Sequence, residues 1–402
     1  MKISEKEKAH IRELAKRYAE LAALPIQEER RTRARDINDL KPRRPIVWLD
    51  EIPWHEMDID GNLRPACQNP AAVEIEQYFL TILYRWKYIQ ADMVIENFYP
   101  VYKHCEISDI GLSIQEDVLA TDAENNIISH SFIDQLDSME KVAALKLPIV
   151  KADPMIDSQR LEFVNDIIGD ILPARLRGHM IYHAPWDRIP RFRGVTTMLT
   201  DLIAEPQLMH ATIRKFTDYG HSGMKQMKEL GLLEHDLHDL HCTPGYVSET
   251  EGVWFRGMAQ IFTEVSREMW EEFDLEYMKP LMAECGLVYY GCCEALDNKI
   301  PALKAIPNMR KIGVSPWANA ESCAEQIGKD YVYAHKPNPA YVSKDFDEAA
   351  VRAEISRIIK CCQANGCPYE FVLKDISTVS YKPKNLMDWT RVVKETIDKY
   401  YN

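Results

Sequence analysis

The sequence predicts an α/β protein, a (β/α)8 TIM barrel with an N-terminal helical extension. Three observations lead there. From Pro45 onward, short apolar runs alternate with longer amphipathic stretches and no clear linker interrupts them. A chain of 402 residues accommodates one large barrel behind a small extension better than an open doubly wound sheet. No GxGxxG and no P-loop is present, which counts against dinucleotide and nucleoside-triphosphate folds. The expected division is residues 1–44 for a helix and charged arm, and 45–402 for the barrel.

The first element is a helix. Ile11, Leu14, Ala15, Tyr18, Leu21 and Ala22 recur at spacings of three and four, and Pro25 ends the pattern. The next stretch, "IQEERRTRARDINDLKPRRP", is dense in charge and reads as an arm over the body or over a partner subunit. The amphipathic helix is the ground for expecting a homodimer. Strands are expected at 45–49, 93–98, 179–184, 286–291, 311–316, 331–335 and 370–375. Helical spacing fills 200–230, 256–284 and 347–364. Within "SREMWEEFDLEYMKPLMAECG", Ser266 suits the N-cap, Met269, Trp270, Phe273, Tyr277 and Leu281 form an apolar stripe, and Gly286 closes the helix.

Composition narrows the function. There are 49 basic against 62 acidic residues, a formal charge of −13. Nucleic acid is therefore not expected as the main partner, because phosphate binding needs a concentrated basic surface. A local basic pocket for an acidic small molecule remains compatible with that balance. The opening "MKISEKEKAH" is too polar for a signal peptide, and no apolar run approaches the roughly 18–20 residues of a membrane span. A cytoplasmic protein with reduced thiols is expected. None of the ten cysteines forms a CxxC pair.

In such a barrel, chemistry gathers where the strands end. "LVYYGCCEALD" places Cys292, Cys293 and Glu294 at one end, open to three roles: metal ligands, a redox pair or packing. Adjacent cysteines in extended chain diverge, so the redox pair is the weakest of these. Cys292 and Glu294, two apart, are expected on one face, with Cys293 packed behind. A catalytic zinc needs three protein ligands and an open position, and His335 and Asp375 from neighbouring strands are expected to complete the set. Further strand ends carry Trp317 and Asn319, then Lys336 and Asn338, then Lys374. In "EHDLHDLHCTPGY", His235, His238, His241 and Cys242 read as helical ligands or as a strand entering a Pro-Gly turn. Trp54, His55 and Glu56, after the first strand, are expected to cover a small-molecule substrate.

At "PIVWLDEIPWHEM", "LVYYGCCEALD", "VSPWAN", "YVYAHKPNPA" and "FVLKDISTV" the sequence resembles the uroporphyrinogen decarboxylase superfamily. The resemblance is greatest to a branch of decarboxylase-like proteins from anaerobic bacteria and runs from about residue 40 to the C-terminus. It implies a (β/α)8 barrel and either decarboxylation or zinc-dependent methyl transfer with a corrinoid protein. The decarboxylase carries an Arg-rich loop where this chain has the acidic "DEIPWHEMD", which disfavours a polycarboxylated tetrapyrrole. The methyltransferases carry a His-x-Cys pair that falls on Tyr290 and Cys292, and a later cysteine that falls near Asp375.

The resulting expectation is zinc-dependent methyl transfer between a small methylated substrate, such as a methyl ether, or a thiol and a corrinoid partner protein. Zinc is held by Cys292, Glu294, His335 and Asp375, and chemistry is assisted by Tyr290, Glu294, Lys374 and Asp375. The rivals are a metal-free decarboxylase or lyase using Lys336, Lys374 and Asp375, and a non-catalytic corrinoid or tetrapyrrole binder.

Overall fold

A computed structural model describes residues 3–58, 60–119, 129–235, 237–248 and 252–401. Its centre is a parallel sheet of seven strands: β1 (Ile46–Leu49), β2 (Ile181–His183), β3 (Trp254–Gly257), β4 (Leu287–Tyr290), β5 (Met309–Val314), β6 (Val332–His335) and β7 (Tyr369–Leu373). Their order is β1-β7-β6-β5-β4-β3-β2, so from β2 to β7 each strand lies beside its chain neighbour, and β1 pairs with β7. The fold is thus α/β with a seven-stranded parallel sheet. Between the edges β1 and β2, Asp92 N–H donates to the Val47 carbonyl at 2.8 Å, and Tyr99–Tyr102 forms a separate parallel pair with Ala174–Arg177.

Parallel strands covered on both faces should be apolar throughout, with successive side chains pointing opposite ways. On one parity, Val47, Leu49, Phe255, Val288, Tyr290, Ile312, Val314, Phe371 and Leu373 join the main core with helix residues such as Trp270 and Ile355. On the other, Trp254, Leu287, Tyr289 and Ala334 pack with Leu237 and Leu240, and Trp48 and Val372 with Cys242. The loop around residue 240 therefore covers the inner face of the sheet. This inner face also carries charge: Lys311 donates to Glu370 at 2.9 Å with both side chains fully buried.

Several elements differ from expectation. β3 ends inside the stretch read as helix, at Gly257; the helix starts only at Arg267, capped by Ser266 as expected. It contains one π turn, Glu271–Leu275, before continuing to Ala283. The strand expected at 93–98 lies instead at Tyr99–Tyr102. The charged arm is a helix, Ile26–Asn38, whose arginines find partners across the fold: Arg31 with Glu96 at 2.9 Å and Arg33 with Asp92 at 3.0 Å. Ahead of it, Glu5–Ala22 opens with a Ser4–Glu7 capping box and packs Ile11, Leu14 and Tyr18 against Phe79 of the helix Pro70–Tyr88. Among the described residues, no helix is long and apolar enough to cross a membrane.

Candidate active site

The site forms where β4 stops. Gly291 has φ +91°, and a Cβ there would stand 2.3 Å from the Leu296 side chain; only glycine makes this turn without displacing a buried leucine. Gly313 lets the turn lie against β5, since its Cβ would meet the Gly291 carbonyl oxygen at 2.3 Å. Because the chain turns, the two cysteines do not diverge: their sulfurs lie 3.7 Å apart. The Cys293 thiol donates to Asp375 Oδ2 at 2.6 Å, so Cys292, Cys293 and Asp375 bring three donor atoms within 4.8 Å of one another.

Lys374, from the end of β7, lies at the centre. Its Nζ donates to Cys292 Sγ at 2.9 Å and stands 3.4 Å from Asp375 and 3.6 Å from Glu51. The contact with the Cys293 sulfur, with Arg256, Lys374 and Lys336 nearby, holds the Cys292 thiol well below its ordinary pKa despite burial. The same sulfur contact, burial and Asp375 push Cys293 up. Burial opposes the Lys374 ammonium, but Cys292, Cys242 and Asp375 outweigh it and keep its pKa raised. The electrostatics therefore favour a thiolate–ammonium pair next to a protonated thiol.

A second triad adjoins the first. Glu51, His241 and Cys242 also bring donor atoms within 4.8 Å, and Glu51 Oε2 accepts from Asp375 N–H at 2.8 Å. His241 and Cys242 adopt φ +45° and +73°, delivered by the loop that covers the inner face. Of the two readings open for that segment, neither helix nor strand forms around these residues.

Strand parity corrects two expected site residues, Tyr290 and His335, and the turn after β4 a third, Glu294. Tyr290 points away from the cysteines into the helix layer, where its hydroxyl donates to Asp274 at 2.5 Å and accepts from Trp270 Nε1 at 2.9 Å. His335 shares that outer parity; its Nε2 is 3.4 Å from Glu354 and its ring abuts Phe371. Glu294, 1% exposed, accepts from the backbone N–H groups of Cys292 at 2.8 Å and Ala259 at 3.0 Å. Its carboxylate braces the turn, and it does not share a face with the Cys292 thiol as extended backbone would require. Lys336 has inner parity and donates to the Tyr289 hydroxyl at 2.6 Å.

The remaining expected substrate contacts spread along the rim. Trp54 packs edge-on to Tyr84, and His55 against Tyr381. Glu56 is buried and accepts from Thr378 Oγ1 and Val379 N–H, both at 2.6 Å, bracing the turn after Asp375. Asn319 caps the helix Ala320–Ile327 through Ser322 N–H, and Asn338 closes a local turn on Ala340 N–H. Trp317 is 64% exposed. Sequence reasoning passed over Arg256 and Tyr289 on the inner face. A charged residue inside the apolar run "VWFRGM" was the available signal for the first.

No protein-family model matches the chain, and no curated protein matches it. Among solved structures the fold is similar to that of a methyltransferase from Methanosarcina mazei, with a TM-score of 0.51 and 10% identity, covering 93% of this chain and 99% of that one. At that identity the likeness speaks to the fold alone.

Proposed function

We propose that the protein is a zinc-dependent methyltransferase of the uroporphyrinogen decarboxylase superfamily, exchanging a methyl group between a small substrate and a corrinoid carried by a separate protein. Its sheet is then seven-eighths of a (β/α)8 barrel, with the Tyr99–Tyr102 segment supplying the remaining wall. The observation that carries the reading is the cluster of Cys292, Cys293 and Asp375, brought together from the ends of β4 and β7. Two sulfurs and a carboxylate oxygen, open to solvent on one side, suit a catalytic zinc with a free position. Zinc bound there supplies a Lewis acid that activates a substrate thiol or polarises an ether oxygen.

The chain's own groups support the same chemistry. Lys374 keeps Cys292 anionic and so ready to bind a cation. Its ammonium would also serve as a proton donor to a departing oxygen held at the cluster. Glu51, His241 and Cys242 stand alongside as further donors. Exposed Trp317 offers the rim an apolar contact for a corrinoid protein.

The test is metal analysis of purified full-length protein. About one zinc per chain is expected, lost in Cys292→Ser and Asp375→Asn but kept in His335→Asn and Glu294→Gln. Protein that carries no zinc and takes none up overturns the metal half of the reading. The decarboxylase rival draws on Lys336 and Lys374, which both act on Cys292; carbon dioxide release from a carboxylated substrate by chelator-treated protein would favour it instead.

A further inference from the structure

The floor beneath the cysteines carries more positive charge than it pairs. Strand register sets Tyr182, Arg256, Tyr289 and Lys311 side by side across β2, β3, β4 and β5. Lys311 has Glu370 as its counterion. Arg256 has none: it is fully buried, and no carboxylate among the described residues lies within 4.0 Å of it. Its Nη1 donates to the Gly257 carbonyl at 2.9 Å, whereas Nε and Nη2 have no partner among those residues. Its Cζ lies 3.8 Å from the Tyr289 ring centroid. Lys336, 2% exposed, is 5.3 Å from the same centroid, with the Tyr289 hydroxyl as its partner and likewise no carboxylate within 4.0 Å.

Two buried cations without a carboxylate are costly to remove from water. The free donors of Arg256 are moreover Nε and Nη2, which share one edge of the guanidinium. That edge presents two parallel N–H groups, the spacing that a carboxylate accepts bidentately. Two cavities lie close by, lined by neighbours of these cations. Tyr182, the register partner of Arg256, lines a cavity of about 660 Å³ with Asp187, and His241 and Cys242 line one of about 330 Å³ with Glu51.

The geometry points to an anion subsite in which Arg256 and Lys336 take the carboxylate of a small organic acid and hold that molecule against Cys292, Cys293 and Asp375. That the acid is the substrate rests on the function proposed above; that the subsite binds a carboxylate does not. Methyl transfer and decarboxylation alike would then act on an anionic molecule. The competing explanation is that the Cys292 thiolate alone balances Arg256 and that both cations only hold the sheet together.

Calorimetric titration of the full-length protein with acetate, benzoate and glutarate, each beside its primary amide, separates the two. At least one carboxylate is expected to bind where its amide does not, with affinity falling about tenfold or more in Arg256→Met and in Lys336→Met. Carboxylates that bind no better than amides, or that bind Arg256→Met undiminished, overturn the subsite. Should Arg256→Met fail to fold, Lys336→Met decides: lost carboxylate binding supports the subsite, and retained binding overturns it. Absence of zinc with carboxylate binding intact removes the proposed function and leaves the anion subsite standing.

Discussion

At the residue scale, Asp274 shows what burial does to a carboxyl group facing the helix layer. It is fully buried, accepts from Tyr290, and has Oδ1 without a partner among the described residues. Burial raises its pKa to about 8, against the lowering effect of the Tyr290 hydrogen bond. An unfolded aspartate titrates near 4, so between roughly pH 4 and 8 the folded state holds a proton that the unfolded state has lost. Stability from this group is full below that window and is lost as pH rises through it. Asp274→Asn is therefore expected to flatten the decline in stability between pH 6 and 8, by about 1.4 kcal/mol per pH unit at most. Calorimetric scans across that range check it, and an unaltered slope counts against the assignment.

At the scale of the element, the turn after β4 decides which side chains meet. Alternation was legible in "LVYYGCCEALD", and it rightly gives Tyr289 and Tyr290 opposite faces. It fails one residue later, because Gly291 leaves the extended region. The glycine was visible in the sequence, but its positive φ was not, since glycine also occupies ordinary strand geometry. Gly291→Ala is expected to destabilise the protein by about 1–3 kcal/mol through clash with Leu296 and to lower zinc content by misplacing both sulfurs. Gly366, also at positive φ but with nothing within 4 Å of a Cβ, is the control: Gly366→Ala should cost about 1 kcal/mol and leave metal unchanged. Denaturant titration with metal analysis distinguishes the two.

At the scale of the whole molecule, the inner face is organised by contacts between distant segments. Thr243 donates to Glu370 at 2.9 Å and accepts from Lys311 at 3.3 Å, while Asn38 Nδ2 donates to the carbonyls of Pro244 and Tyr246. Trp254 Nε1 adds a bond to the Gly245 carbonyl. These bonds hold the loop that brings His241 and Cys242 to Glu51. Lys311→Met leaves Glu370 as an uncompensated buried charge and is expected to cost about 3–5 kcal/mol. The double variant Lys311→Met with Glu370→Leu is expected to recover most of that, which a double-mutant cycle by urea denaturation measures. Equal losses in single and double variants would mean that the pair contributes through packing instead.

What the sequence by itself determined was local: the N-terminal helix, the Ser266 cap of a later one, six of the seven strands of the sheet, and the placement of Cys292, Lys374 and Asp375 at strand ends. Those features depend on periodicity and capping within a single element. Only the tertiary structure decided which parity of each strand faces inward, and with it that Lys336 and Lys374 share a face from which Tyr290 and His335 are excluded. The meeting of Cys293 with Asp375 and of His241 with Glu51 was likewise tertiary, since residues 82 and 190 positions apart in the chain are joined by the docking of one segment on another. Periodicity states which residues of an element point together, but the direction in which they point is set by what packs against them.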